Sequence, residues 1–233
     1  TNPRTMTKTF ISIIIVLFFI FCKSGFAQTS DKSVDNRIRE VEHNLGTWVK
    51  IENAPAWILE ERMKYYNAKG VSIAVIKDYK IEWAKGYGWA DSAEKRPVTI
   101  HTLFQAASNS KSLNSLAILK LVQEGKIDLN EDINTYLKSW KFPYDSLSYG
   151  KKITVANLLS HSAGLTVHGF DGYEKGDTIP TIIQILNGQS PANSKSIRSM
   201  FEPGLRHEYS GGGTTISQLI VTDIAHEAYD KYM

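Results

Sequence analysis

The stretch from residue 70 to 86 constrains the fold most. Val71-Ser72-Ile73-Ala74-Val75-Ile76 is rich in β-branched residues, and Ile81 opens a second run after Lys77-Asp78-Tyr79-Lys80. β-Branched side chains pack well on a pleated surface, and so tight a connection joins antiparallel neighbours. A β-hairpin is therefore predicted, with a return strand over 81–86 ended by Gly86, Gly88 and the polar Asp91-Ser92 pair. No strand is legible downstream of Gly86, and most of the remaining chain reads as helix. A two-stranded sheet is marginal by itself in water. A hairpin in a helical chain thus demands further strands. The expected class is α+β, an antiparallel sheet flanked by helices plus an all-helical region.

Ile38, Val41 and Leu45 fall on one stripe and predict a helix over 35–45; Ile58, Leu59 and Met63 predict another over 56–67, stopped by Lys69-Gly70. After Phe104, a run from Leu113 through Leu116, Ala117, Ile118, Leu119 and Leu121 to Val122 ends at Gly125. Apolar residues cover most of its circumference, which predicts a buried helix with a glycine C-cap. Thr154 is placed to cap a helix through Leu158-Leu159, stopped by Gly164. Thr178-Ile179-Pro180 starts another that ends at Asn187-Gly188. Glu202-Pro203-Gly204 reads as a turn, and a last helix runs from about Thr215 to the end.

Ser108-Asn109-Ser110-Lys111 opens the long apolar helix and sets a hydroxyl and an amine three residues apart, on one face. A serine hydroxyl becomes a nucleophile once a base takes its proton. Lysine serves if burial or nearby positive charge lowers its pKa. The plainer reading makes Ser108 an N-cap and Lys111 a solvated first-turn residue. Tyr209-Ser210-Gly211 precedes the last helix; a tyrosine near lysine can relay a proton, or it can simply be interfacial. Gly211-Gly212-Gly213 lacks the spacing of a phosphate loop and suits close packing. Ser160-His161-Ser162-Ala163-Gly164 approaches a nucleophile elbow, but it lacks the first glycine and follows a helix where the elbow needs a strand. His161 reads as a structural hydrogen-bonding residue, and no spacing assigns His168 or His207 a role. No metal or cofactor motif is legible: the six histidines lack close pairing. Asp128-Leu129-Asn130-Glu131-Asp132 lacks the glycine of a calcium loop and reads as a solvated turn.

Residues 1–27 read as a secretory leader, with 1–5 upstream of the first methionine, Met6. Lys8 gives a positive start, residues 10–21 an apolar core of about twelve residues, and Gly25-Phe26-Ala27 a small-x-small cleavage site before Gln28. Residues 28–34 read as a polar linker and 35–233 as one domain. Removing Arg4, Lys8 and Lys23 from 27 basic residues leaves 24, equal to the 24 acidic ones. A mature chain of zero formal charge offers no electrostatic case for nucleic acid or an anionic membrane. Cys22, the single cysteine, departs with the leader, so neither disulfide nor thiol chemistry is expected. Export to periplasm or medium is expected, with membrane contact only through the leader; oligomeric state is left open.

Five blocks in order carry a family resemblance. They are Gly70-Val71-Ser72-Ile73-Ala74-Val75; Phe104-Gln105-Ala106-Ala107-Ser108-Asn109-Ser110-Lys111; Leu121-Val122-Gln123-Glu124-Gly125-Lys126-Ile127-Asp128-Leu129; the segment 153–165 with Leu158-Leu159-Ser160-His161; and Pro203-Gly204 through Tyr209-Ser210. Together they resemble the β-lactamase-related serine hydrolases, of class C β-lactamase and penicillin-binding-protein type, which include esterases and D,D-peptidases. The resemblance implies a β-lactamase/transpeptidase-like fold and acyl-enzyme chemistry. Ser108 is the implied nucleophile, and Lys111, helped by Tyr209, the implied base. The substrate is an ester, amide, β-lactam or peptidoglycan-type acyl compound. Gly211 stands where the family's Tyr-x-Asn motif has an asparagine that contacts substrate, which favours ester or peptide over β-lactam turnover. The family's Lys-Thr-Gly motif has no counterpart after Ser108; Lys23-Ser24-Gly25 lies in the leader. The expectation is a C-terminally truncated chain, short of the late strands by on the order of 100 residues, and as given poorly stable and inactive. The alternative is a non-catalytic exported binding protein on the same scaffold.

Overall fold

The computed structural model describes residues 32–46, 49 and 51–233. The leader read at 1–27 and the first part of the linker, 28–31, lie outside these residues. The chain divides into two units, one ending at Phe104 and the other comprising Gln105–Met233.

The first unit contains α1 (Lys32–His43), α2 (Leu59–Tyr65), β1 (Gly70–Lys77), β2 (Lys80–Asp91) and β3 (Arg96–Pro97). The strands form an antiparallel sheet in the order β1-β2-β3. Asp78 (φ 50°) and Tyr79 (φ 61°) are both left-handed, and Lys77 pairs with Lys80. That is a two-residue turn of type I′ character, whose twist matches the flanking strands. The expected hairpin is present, but β2 continues past Gly86 and Gly88, and β3 adds an edge that sequence patterning missed. The glycines serve close approach, not termination. A Cβ on Gly86 would lie 2.4 Å from the Val98 carbonyl oxygen. Leu59, Trp83 and Val98 are buried in this unit. Ion pairs Arg37–Glu82 (2.8 Å) and Lys85–Glu42 (2.6 Å) tie α1 to β2. α1 begins three residues before the expected start and stops at His43. Leu45 and Trp57 instead exchange backbone hydrogen bonds of 2.9 Å, which also delays the start of α2.

The second unit carries the 3₁₀ turn Ala107–Asn109, α3 (Ser110–Gln123), α4 (Ile133–Tyr136), the 3₁₀ turn Ser146–Ser148, α5 (Val155–Leu159), α6 (Ile182–Asn187), α7 (Gly211–Ala225) and α8 (Tyr229–Tyr232). α7 is the hub, and α3, α4, α5, α6 and α8 all pack on it. Ile118 and Leu121 of α3, Leu158 of α5, Leu186 of α6 and Ile216 and Ile220 of α7 are fully or almost fully buried. Each such side chain contributes roughly 1.5–3 kcal/mol by leaving water. A polar seam crosses this core: Asn114 Nδ2 donates to Ser217 Oγ (2.7 Å), and the Tyr229 hydroxyl donates to Asn114 Oδ1 (3.0 Å).

Three helix expectations need correction. α7 begins at Gly211, earlier than about Thr215, because its glycines form the first turn, and it does not run to the end: it stops at Ala225, where His226 turns left-handed (φ 56°), and α8 is separate. A Cβ on Gly212 would sit 2.9 Å from the Ile197 side chain and 3.0 Å from the Thr166 carbonyl oxygen. α3 is buried on one face only. Ala117, Ile118 and Leu121 point to α7, while Leu113, Leu116 and Leu119 are exposed, Leu116 at 61%. α6 starts after Thr181, not at 178–180, because Thr181 and Gln184 form a reciprocal capping box. The caps at Thr154 and Gly125 are as expected: Thr154 forms a capping box with Asn157, and Gly125 turns left-handed at φ 70°. The short α4 was not foreseen. Asp132, within the expected solvated turn, caps it by accepting the Asn134 N–H at 3.0 Å.

Candidate active site

Ser108 sits in the turn just before α3. Ala107, directly before it, has φ +45°. That conformation costs an L-residue roughly 1–2 kcal/mol. The N-cap of α3 is Asn109, without a side-chain cap bond, so Ser108 is not the cap. The exposed Ser108 hydroxyl instead lies 2.7 Å from the Tyr209 hydroxyl, across 101 residues of sequence. Lys111, the second residue of α3 and half-buried, donates to Ser108 Oγ at 3.2 Å. Its ammonium also lies 4.9 Å from the centre of the Tyr209 ring, within cation–π range. The three residues singled out from sequence therefore converge on one point.

Tyr209 is held by a cradle built from distant segments. Ser210, next in sequence, caps α7: its Oγ accepts the Gly213 N–H (3.0 Å) and donates to the Thr166 carbonyl (3.1 Å). The N–H groups of Gly211 and Gly212 donate to the carbonyls of His168 (2.8 Å) and Val167 (3.0 Å). Glu208, on the other side of Tyr209, donates its N–H to the His161 carbonyl at 2.7 Å. The turn Glu202-Pro203-Gly204 leads into this segment, with Gly204 at φ 84° and its N–H on the Ser162 carbonyl (2.8 Å).

The Tyr209 ring is flanked by the rings of His161 (4.5 Å between centroids) and His168 (4.9 Å), and His207 stands edge-on to His161 at 5.9 Å. His161 (φ 54°) and Val167 (φ 64°) are both left-handed. For a β-branched residue this is an outlier that the surroundings must hold in place. Backbone strain thus occurs on both sides of the trio. Sequence spacing had left His168 and His207 without a role.

Gly211 is buried. A Cβ there would lie 3.0 Å from the His168 carbonyl oxygen and 3.3 Å from the Phe170 ring, so the site has no room for a side chain without movement. Its N–H is already engaged. Ser162 Oγ lies within a hydroxyl network, accepting from Asn157 Nδ2 at 3.0 Å and meeting Ser160 Oγ at 2.9 Å. Among the described residues, no group of three or more His, Cys, Asp or Glu side chains could hold a metal ion.

Electrostatics favour proton movement at Tyr209. Lys111, and then Ser108, hold its hydroxyl below the usual tyrosine value. The His161 imidazole is pushed below the usual 6.5 by burial, then by His207, Lys111 and His168. A serine hydroxyl in contact with a polarised tyrosine and a lysine is an arrangement that can transfer an acyl group.

The family profile described as Beta-lactamase matches residues 57–233. The chain is similar to Protein flp of Staphylococcus aureus (strain N315), 28% identical over 179 residues, 76% of this chain and 34% of that protein. It is also similar to an N-acetylmuramyl-L-alanine amidase of Bacillus subtilis (strain 168), 26% identical over 98% of this chain and 53% of that one. Among solved structures it resembles the octameric penicillin-binding protein homologue from Pyrococcus abyssi, with a TM-score of 0.61 and 27% identity over 75% of this chain and 39% of that chain. The chain thus spans about a third of one curated relative and about half of the other. Ser108, Lys111 and Tyr209 all fall inside the matched span, and the chain belongs to the β-lactamase family of penicillin-binding-protein-like hydrolases.

Proposed function

We propose that this chain provides the nucleophile, base and proton relay of an exported serine hydrolase that works through an acyl-enzyme on Ser108. The observation that carries the reading is the contact of one hydroxyl, Ser108 Oγ, with both Tyr209 (2.7 Å) and Lys111 (3.2 Å). With Tyr209 as the phenolate, the Ser108 oxygen bonds to the substrate carbonyl carbon as its proton passes to the Tyr209 oxygen, the nearer acceptor. Lys111 supplies the positive charge that lowers the cost of the phenolate. This reverses the emphasis of the sequence reading, in which lysine was the base and tyrosine the helper. As the tetrahedral species collapses, the leaving group departs with the proton from Tyr209. Water then attacks the ester on Ser108 as Tyr209 accepts its proton, and the bond to Ser108 breaks as Tyr209 returns that proton to the Ser108 oxygen and the acid product leaves. The Ser108 backbone N–H is assigned one half of the oxyanion hole.

The substrate class is an ester, or an amide of peptidoglycan type. Two features support it. Gly211 offers no asparagine amide for a β-lactam, and the Bacillus relative is named for cleaving a muramyl amide. The leader read at 1–27 supports export, with no role for nucleic acid.

The test is labelling of the natural gene product with a fluorescent fluorophosphonate or penicillin. Wild type is expected to label and Ser108→Ala to be blank. Equal labelling of the two overturns the nucleophile assignment.

A further inference from the structure

The two residues flanking Tyr209 are both tied to His161. Its carbonyl accepts the Glu208 N–H at 2.7 Å, and its Nδ1 accepts the Ser210 N–H at 3.3 Å. The ring of the same residue lies 4.5 Å from the Tyr209 ring. One residue thus brackets Tyr209 fore and aft and supports its face. The first bond uses only backbone, and any residue could make it. The second needs an acceptor at the Nδ1 position. An imidazole accepts there only when neutral with its proton on Nε2, because the imidazolium carries protons on both nitrogens.

We propose that neutral His161 is a positioning residue for Tyr209, and that protonating its ring frees the Ser210 N–H and lets Tyr209 move off Ser108, so that turnover fails on the acid side. This rests on the reading of Ser108 and Tyr209 as the reacting pair.

The groups facing the His161 ring come from every neighbouring segment. His207 comes from the loop before Tyr209, His168 from the segment that covers Gly211, and Lys111 from α3. Tyr209 is neutral while it holds its proton and is a phenolate, offset by the Lys111 ammonium, when it accepts one from Ser108. The nearest carboxylate in sequence, Glu208, reaches Arg206 at 4.0 Å. With Tyr209 protonated the surroundings are cationic or neutral, and together with burial they hold the ring below the ordinary histidine value. Loss of the Ser210 N–H bond need not unwind α7, because Ser210 Oγ still caps the helix through Gly213. Tyr209 lies between this fixed cap and the Glu208 anchor, so the effect falls on the placement of its hydroxyl.

Geometry also supplies a sharp test. Asparagine carries Oδ1 near the position of histidine Nδ1, does not titrate, and tolerates left-handed backbone such as φ 54° at residue 161. The experiment is the pH dependence of kcat and KM for p-nitrophenyl ester hydrolysis by the natural gene product, with His161→Ala, His161→Asn and Ser108→Ala in parallel. The expected result for His161→Ala is a kcat lowered by about 10- to 100-fold with KM within about threefold, the scale of a misplaced reacting group. His161→Asn is expected to recover most of that kcat and to lose the wild-type acid limb below pH 6.5.

An unchanged kcat in His161→Ala overturns the inference, as does a wild-type acid limb in His161→Asn. If either occurs while Ser108→Ala is inactive, the positioning role fails and the nucleophile assignment stands. If Ser108→Ala hydrolyses the ester normally, both readings fall. Should His161→Ala not fold, the acid limb of His161→Asn decides alone.

Discussion

The turn that carries Ser108 and the cradle that holds Tyr209 bring two hydroxyls together by opposite means. Ser108, in the 3₁₀ turn 107–109, and Lys111, in the first turn of α3, are three residues apart, and local geometry alone brings them together. Their surroundings are open. Ser108 is exposed, Asn109 makes no side-chain cap, and Leu113, Leu116 and Leu119 of the same helix face outward. Tyr209 is placed by tertiary structure. Residues 161, 166, 167 and 168 all accept hydrogen bonds from the short segment 208–212, and a buried glycine-rich helix start lies behind it. A helix turn can be specified by a tetrapeptide. A cradle that joins segments some 40 residues apart must be specified by the whole unit, and here it carries left-handed strain at His161 and Val167 as well.

The largest loss is expected from the residue on which both halves meet. Tyr209→Phe keeps the ring between its histidines and removes only the hydroxyl. It is expected to lower kcat by about 10²- to 10⁴-fold with little change in thermal stability. A variant within twofold of wild type would mean that Lys111 alone serves as base. A smaller effect separates the two helix starts. Ser210→Ala removes a cap bond to Gly213 and a bond to Thr166, and should cost about 0.5–2 kcal/mol in urea unfolding. Asn109→Ala, at a cap position with no side-chain bond, should stay within about 0.5 kcal/mol. Equal costs would erase the distinction between a local and a tertiary placement.

The smallest effect is in the pH dependence of stability. The folded state holds His161 below its ordinary value of 6.5, so the unfolded chain binds the proton first as pH falls. The contribution is complete above pH 6.5 and is lost as pH drops through the folded value. Urea midpoints at pH 7.5 and pH 5 should therefore fall less in His161→Asn than in wild type. The same fall in both would assign the slope elsewhere.

The same contrast explains what could be read from the chain alone. Ser108 and Lys111 were legible because a helical repeat of 3.6 residues converts spacing into proximity. Tyr209 joined them only through the ordered companions of a family resemblance; no local rule reaches across 101 residues. His168 and His207 had no signal, since three histidines at 161, 168 and 207 share no periodicity and meet only around Tyr209. Glycine was the most misleading residue. Gly86 and Gly88 read as strand ends, yet both lie inside β2; the close packing read for Gly211 to Gly213 is present, but they form the first turn of α7 and do not precede it. There the missing side chain admits a neighbour such as Val98 or Ile197. Close approach is a property of the partner surface, which a one-dimensional pattern does not contain. Likewise, the apolar run of α3 recorded its hydrophobicity correctly but not that only one of its faces packs on α7.

In the proposed chemistry Ser108 Oγ is the atom that carries the acyl group. Mass spectrometry of peptides from the natural gene product, after treatment with a fluorophosphonate, reads that directly. A single adduct on the peptide containing Ser108, with loss of ester hydrolysis in step with its formation, is the predicted result. An adduct on Ser162 or another serine, or hydrolysis that continues with Ser108 fully modified, would contradict it.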